Sequence, residues 1–308
     1  MLLASDGAGA AQRIMEDGTL ANHSAVSPHA AIAVFDSGLG GLTVVRALRA
    51  VLPNEDFIYF GDTARVPYGN KSPETVARFT SEICEFLLHF EPKCIIAACH
   101  TASASAVPDI ARQLPVPVLD VVQPSAELAA RRTKDEFVAV VGTEATIASG
   151  AYERAIRAHN PRIRVVQQSC PLFVPIVEEG RDFDDPITLL AIRDYLTPIR
   201  KLKPDVVLLG CTHYPVLMPA LQEFLGAGVE LIDSGDAVAR QTRNMLADLG
   251  LLSPAERPGT VQCYVSDFPQ RFSAIGARFL GEPLPHVTRA SVGSWRLFQS
   301  SANRAASA

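Results

Sequence analysis

Glu91-Pro-Lys-Cys-Ile-Ile-Ala-Ala-Cys99-His100-Thr101 and Lys203-Pro-Asp-Val-Val-Leu-Leu-Gly-Cys211-Thr212-His213 are the two stretches on which the fold turns. Each runs from a proline through a short apolar segment to a small residue, then to a cysteine with threonine and histidine beside it. An apolar run of this length, closed by turn chemistry, suits a strand buried on both faces. Upstream of each lies another such strand that ends in glycine and hydroxyl residues. These are Ile32–Phe35 before Asp36-Ser37-Gly38, and Val138–Val141 before Gly142-Thr143. The pattern therefore occurs twice and predicts two related α/β lobes, each offering a cysteine at a strand end.

Working outward, similar runs recur at Ala31–Phe35, Phe57–Phe60, Cys94–Ala98, Val116–Val118, Phe137–Val141, Arg164–Gln167, Val206–Leu209 and Val229–Ile232. The spacers at Glu74–His89 and Asp185–Leu202 are long enough for helices, the second with Asp185 as cap and Pro186 at its first position. Alternating β and α points to doubly wound α/β architecture with mainly parallel sheets, whose ligands bind at the carboxyl ends of strands.

The whole chain has 308 residues, 48% of them hydrophobic and 20% charged, which excludes disordered and fibrous classes. A net charge of −5 argues against a nucleic-acid partner. No apolar run approaches the roughly 18 residues of a membrane span. Six scattered cysteines are too few to staple a secreted fold, so reduced thiols in a cytoplasmic compartment are expected. Residues 1–30 lack a basic segment followed by an apolar one and read as a tail, as does the Ser/Ala-rich end from 291 to 308.

Asp36-Ser37-Gly38-Leu39-Gly40-Gly41 follows a strand and opens a helix over Leu42–Leu52. Its glycines permit a tight turn, and the helix start offers N–H groups to an anion. The spacing is not that of a dinucleotide fingerprint. Asp36 is either a cap or an acid–base group. The loop Phe60–Gly69 offers backbone N–H groups near Tyr68 and Gly69 to a carboxylate, or simply packs its tyrosine. Cys99 and Cys211 stand apart from the other four cysteines because hydroxyl and imidazole groups adjoin them. Nearby donors lower a thiol pKa below its usual value of about 8.5. Two such thiols on opposite sides of one carbon can remove a proton from one face and return one to the other, with no cofactor. A zinc site drawn from Cys99, His100, Cys211 and His213 is disfavoured by spacing, since adjacent residues on a strand point to opposite faces. His213 is a hydrogen-bond partner or proton store for Cys211. Glu178 and Glu179 read as a solvated helix end.

Six stretches together resemble the glutamate racemases of the aspartate/glutamate racemase superfamily. They are Asp36–Leu42, Phe60–Gly69, Ala98–Ser103, Gly142–Thr146, Cys170–Glu178 and Gly210–Pro215, in family order, within about residues 31–290. The resemblance implies cofactor-independent, metal-free interconversion of L- and D-glutamate, supplying D-glutamate for peptidoglycan. It implies Cys99 with Asp36 on the D-glutamate side, and Cys211 with His213 on the L-glutamate side. It assigns substrate contacts to Asp36, Ser37, Tyr68, Gly69, His100, Thr101, Thr212 and His213, with Thr143 contributing. Glu178 matches a cleft carboxylate with a role toward the ammonium group or the second acid–base set. It also implies an inserted second lobe (125–234) within a first lobe built from 31–124 and 235–290, with the active site in the cleft between them. Glutamate is then the small-molecule partner, with no nucleic acid, no membrane and a homodimeric assembly expected.

His100 departs from that pattern, which usually has asparagine after the first catalytic cysteine; it is expected to contact substrate nonetheless. Two alternatives remain: a related racemase acting on another amino acid such as aspartate, and a catalytically silent binding relative.

Overall fold

The computed structural model describes residues 26–284 and 287–292. Ten strands occur among them: β1 (Ile32–Asp36), β2 (Phe57–Gly61), β3 (Cys94–Ala97), β4 (Val118–Asp120), β5 (Phe137–Gly142), β6 (Arg164–Ser169), β7 (Val206–Gly210), β8 (Glu230–Asp233), β9 (Val261–Val265) and β10 (Val287–Arg289). They form a six-stranded sheet in the order β10-β9-β2-β1-β3-β4 and a four-stranded sheet in the order β6-β5-β7-β8. Every pairing is parallel, as the buried apolar runs require. The block β2-β1-β3-β4 has the same order as β6-β5-β7-β8, so the repeated motif reflects a repeated topology.

Alternate residues of each central strand enter different cores. Ile32 and Val34 of β1 join one apolar cluster while Ala33 and Phe35 join another. The first cluster also takes Ala139 and Val141 of β5 and Val207 and Leu209 of β7, so one core runs beneath both sheets. A fully buried Val, Leu or Ile contributes about 1.5–3 kcal/mol, so this shared core joins the two sheets strongly. The chain passes from the first sheet to the second through helix Val122–Arg132 and returns through helix Ser234–Asp248. Partly buried aspartates at the ends of β4 and β8 start these helices: Asp120 accepts from the Val122 and Gln123 N–H groups, and Asp233 from that of Gly235.

The eight expected strands all occur, with one displaced. Val116–Val118 becomes Val118–Asp120 because Pro117 has no N–H to donate; its carbonyl instead accepts from the Ile95 N–H at 2.9 Å. β9 alternates buried and partly exposed residues, and β10 is a three-residue edge strand, so neither shows the uniform apolar run that marked the others. Asp185 caps helix Pro186–Leu202 as expected, accepting from the Ile187 N–H at 2.8 Å. Of the segment read as an N-terminal tail, residues 1–25 lie outside the described residues. The Pro28 carbonyl, by contrast, accepts from buried Lys93, which also pairs with Glu55 at 2.5 Å. At the other end Val292 packs on the core, and 293–308 lie outside the described residues.

Candidate active site

Asp36 closes β1 and is fully buried. Its Oδ2 accepts from the Gly38 N–H at 3.0 Å, and its Oδ1 accepts from the Thr212 hydroxyl at 3.4 Å. Burial raises the carboxyl pKa against the opposing pull of His213. The glycines after it also permit a close approach between the lobes. A Cβ on Gly40 would lie 2.3 Å from Thr212 Oγ1 and 2.5 Å from His213 Nδ1. Gly40 thus lets the turn after β1 touch the turn after β7. A second close approach occurs at Gly69, where a Cβ would meet that of Thr143 at 2.7 Å.

Cys99 follows β3 as the N-cap residue of helix His100–Ser105. It is therefore not on an extended strand, and the opposite-face argument drawn from sequence does not apply. The thiol is 4% exposed. Burial pushes its pKa up to about 12, aided by the Asp36 charge, while hydrogen bonds from the Ala102 backbone and Ser37 pull it back. The sequence expectation was the reverse; desolvation outweighs the adjoining donors. His100 Nδ1 lies 2.6 Å from the Tyr152 hydroxyl and its Nε2 3.0 Å from that of Ser234. The next residue, Thr101, meets Thr143 at 3.0 Å and Thr146 at 3.3 Å, and the last two meet at 2.9 Å. Three hydroxyls from both lobes thus converge where helices His100–Ser105 and Glu144–Ala148 begin. Tyr68 is buried, with its hydroxyl donating to Asp62 and its ring packed on Phe79.

Cys211 follows β7, and its sulfur lies 3.8 Å from His213 Nδ1. His213 Nε2 lies 3.0 Å from Glu178 Oε1, at the end of helix Phe173–Glu178. Glu178 is thus brought against His213 and is not the free helix end its sequence context suggested. Burial pulls the imidazole down, but hydrogen bonds to Cys211 and Glu178 more than reverse this and raise it to about 10. His213 is accordingly imidazolium at neutral pH. Thr212 is fixed through its carbonyl, which accepts from the Thr43 hydroxyl at 3.2 Å.

Asp36 thus touches Thr212, beside Cys211, and its charge also acts on Cys99. Among the described residues, no group of three or more His, Cys, Asp or Glu side chains is arranged to hold a metal ion. Residues 42–242 match the family model described as Asp/Glu/Hydantoin racemase. The chain belongs to this racemase family. Among its relatives, the glutamate racemase of Geobacter metallireducens is 46% identical over 86% of this chain and 98% of its own. The crystal structure of the Francisella tularensis glutamate racemase in complex with D-glutamate matches with a TM-score of 0.81 at 37% identity, covering 87% of this chain and 100% of that one. The Thermus thermophilus glutamate racemase, solved with β-chloro-D-alanine, matches with a TM-score of 0.77 at 47% identity, covering 86% and 98%.

Within this racemase fold, Asp36, Ser37, Cys99, Thr101, Thr143, Cys211, Thr212, His213 and Glu178 gather where the strands of the two sheets end. Gly69 reaches the same place through Thr143, whereas the Tyr68 hydroxyl and the His100 ring turn to partners inside the protein. Sequence reasoning missed Thr43, Thr146, Tyr152 and Ser234. Thr146 had a local signal, since Thr143-x-x-Thr146 is the spacing of a helix cap, which Thr143 provides at 3.3 Å. The other three have none.

Proposed function

We propose that the chain interconverts L- and D-glutamate by two-base proton exchange, without a cofactor, and supplies D-glutamate for peptidoglycan. The observation that carries this reading is the pairing of half-sites: Cys99 beside Asp36 after β3, and Cys211 beside His213 and Glu178 after the equivalent strand β7. In the L-to-D direction the Cys211 thiolate removes the α-proton and becomes a thiol. The Cys99 thiol donates its proton to the opposite face and becomes a thiolate. The reverse direction exchanges the roles, and solvent resets both sulfurs. Imidazolium at His213 stabilises a thiolate at Cys211. Asp36 disfavours negative charge on Cys99 and so keeps it ready as the acid. The hydroxyls of Ser37, Thr101, Thr143 and Thr212, with backbone N–H groups near Tyr68 and Gly69, take the substrate carboxylates.

The lobe boundaries proposed are 31–124 with 235–290, and 125–234, a reading supported by the division of the strands between two sheets. All six cysteines are free and buried, which supports a reducing, cytoplasmic compartment. No helix among the described residues is long and apolar enough to cross a membrane. A homodimer is proposed, and sedimentation velocity checks it.

The deciding experiment incubates the full chain with L-glutamate in D₂O. Appearance of D-glutamate carrying deuterium at Cα, unaffected by chelator, is expected. Inversion that needs a metal, or aspartate turned over in preference to glutamate, overturns the reading.

A further inference from the structure

His100 holds a position that the two-cysteine reading leaves without a role. It is the first residue of the helix that Cys99 caps, and its ring is 2% exposed. Nδ1 meets the hydroxyl of Tyr152, on helix Ala151–His159 of the second lobe, and the two rings lie 6.0 Å apart. Nε2 meets the hydroxyl of Ser234, the first residue of the helix that returns the chain to the first sheet. Tyr152 in turn packs in one apolar cluster with Ala126 and Ala129 of the outgoing crossing helix. The imidazole thus ties the turn that carries Cys99 to the second lobe and to both crossings between lobes. Burial pulls its pKa down to about 3, so the ring is neutral, with one donor and one acceptor. Both are already used, which leaves no ring nitrogen for substrate.

We infer that His100 is a positioning residue, whose two hydrogen bonds lock Cys99 against the face of the substrate that it serves, and not a substrate contact. This rests on the two-cysteine reading. An asparagine at this place ends level with Nδ1 and Cδ2 of the imidazole. It can keep Tyr152 and cannot reach Ser234.

Tyr152→Phe, Ser234→Ala and His100→Asn each loosen one tie while keeping most of the volume. With L-glutamate in D₂O, NMR follows loss of the α-proton and chiral chromatography follows D-glutamate. When Cys99 is misplaced, Cys211 still takes the α-proton, exchanges it with solvent and returns a deuteron to the same face. The ratio of α-proton loss to inversion therefore rises, by about tenfold, within the ~10²-fold loss that a 1 Å misplacement can cause. Cys99→Ser supplies the limiting high ratio. A raised KM for both enantiomers with an unchanged ratio makes His100 a substrate contact and overturns the inference. A parallel fall of exchange and inversion with a lower Tm reduces the ties to fold stability and also overturns it, as do variants indistinguishable from wild type. Wild-type chain that neither exchanges nor inverts glutamate removes the two-cysteine reading and this inference together.

Discussion

The turn after β3 and the turn after β7 occupy equivalent places in two sheets of the same strand order, yet their electrostatics are opposed. At the first, a buried thiol sits beside the carboxylate of Asp36, and its histidine neighbour is neutral. At the second, a histidine held as imidazolium stands between a sulfur and the carboxylate of Glu178. A histidine adjoins the cysteine in both, but burial alone lowers His100, whereas hydrogen bonds to Cys211 and Glu178 raise His213. Residue type therefore does not set charge; partners do.

The comparison breaks most completely at the sulfurs. Cys99→Ser or Cys211→Ser is expected to lower racemisation ~10²–10⁴-fold, the span of a single acid–base group, as read by chiral assay. If either serine variant keeps wild-type inversion, the opposed half-sites are not a pair.

Next in size is Gly40→Ala. Its methyl group collides with Thr212 and His213 and pushes the two turns apart, with an expected loss in kcat/KM of about 10²-fold. The Tm should fall as well, since Thr212 and His213 are buried and the His213 ring packs on Phe279 of the shared core, and overpacking there costs roughly 1–3 kcal/mol.

Glu178→Gln sharpens the second half-site. Loss of the carboxylate lowers the His213 pKa from about 10 toward its ordinary value, so the alkaline limb of kcat/KM against pH moves down. Each unit of movement is about a tenfold change in the imidazolium-to-imidazole ratio. A limb that stays in place separates Glu178 from the charge on His213. The raised pKa also makes His213 stabilising below about pH 6.5, a contribution lost as pH rises through about 10.

The smallest effect lies in acid. His100 falls from 6.5 to about 3 on folding, so its contribution to stability is present above pH 6.5 and is lost as pH falls toward 3. His100→Asn should flatten the pH dependence of Tm in that window, by roughly 2–4 °C for each kcal/mol of linkage. An unchanged slope assigns the acid sensitivity to other groups.

The fold was legible in runs such as Val206–Leu209 because strands buried on both faces have little choice of composition. β9 and β10 were not, since Val261–Val265 alternates and Val287–Arg289 is too short to carry a pattern. The thiols, Asp36 and His213 were readable from local context, and Glu178 only from resemblance. What escaped were relations between distant residues. Nothing beside Gly40 announces the His213 ring, and nothing beside His100 announces Tyr152 and Ser234. The direction of the Cys99 shift escaped for a related reason: neighbouring donors are visible in a sequence, whereas the water that burial removes is not.

The matching strand orders of the two sheets carry one more consequence. Mirror-image molecules have equal free energy, so an enzyme that inverts one centre has an equilibrium constant of one and equal kcat/KM for both hands. However unequal the two half-sites are, they cannot favour a product. Their inequality sets the state in which the enzyme waits between turnovers, and so which hand meets it ready and which must first wait for its protons to be redistributed.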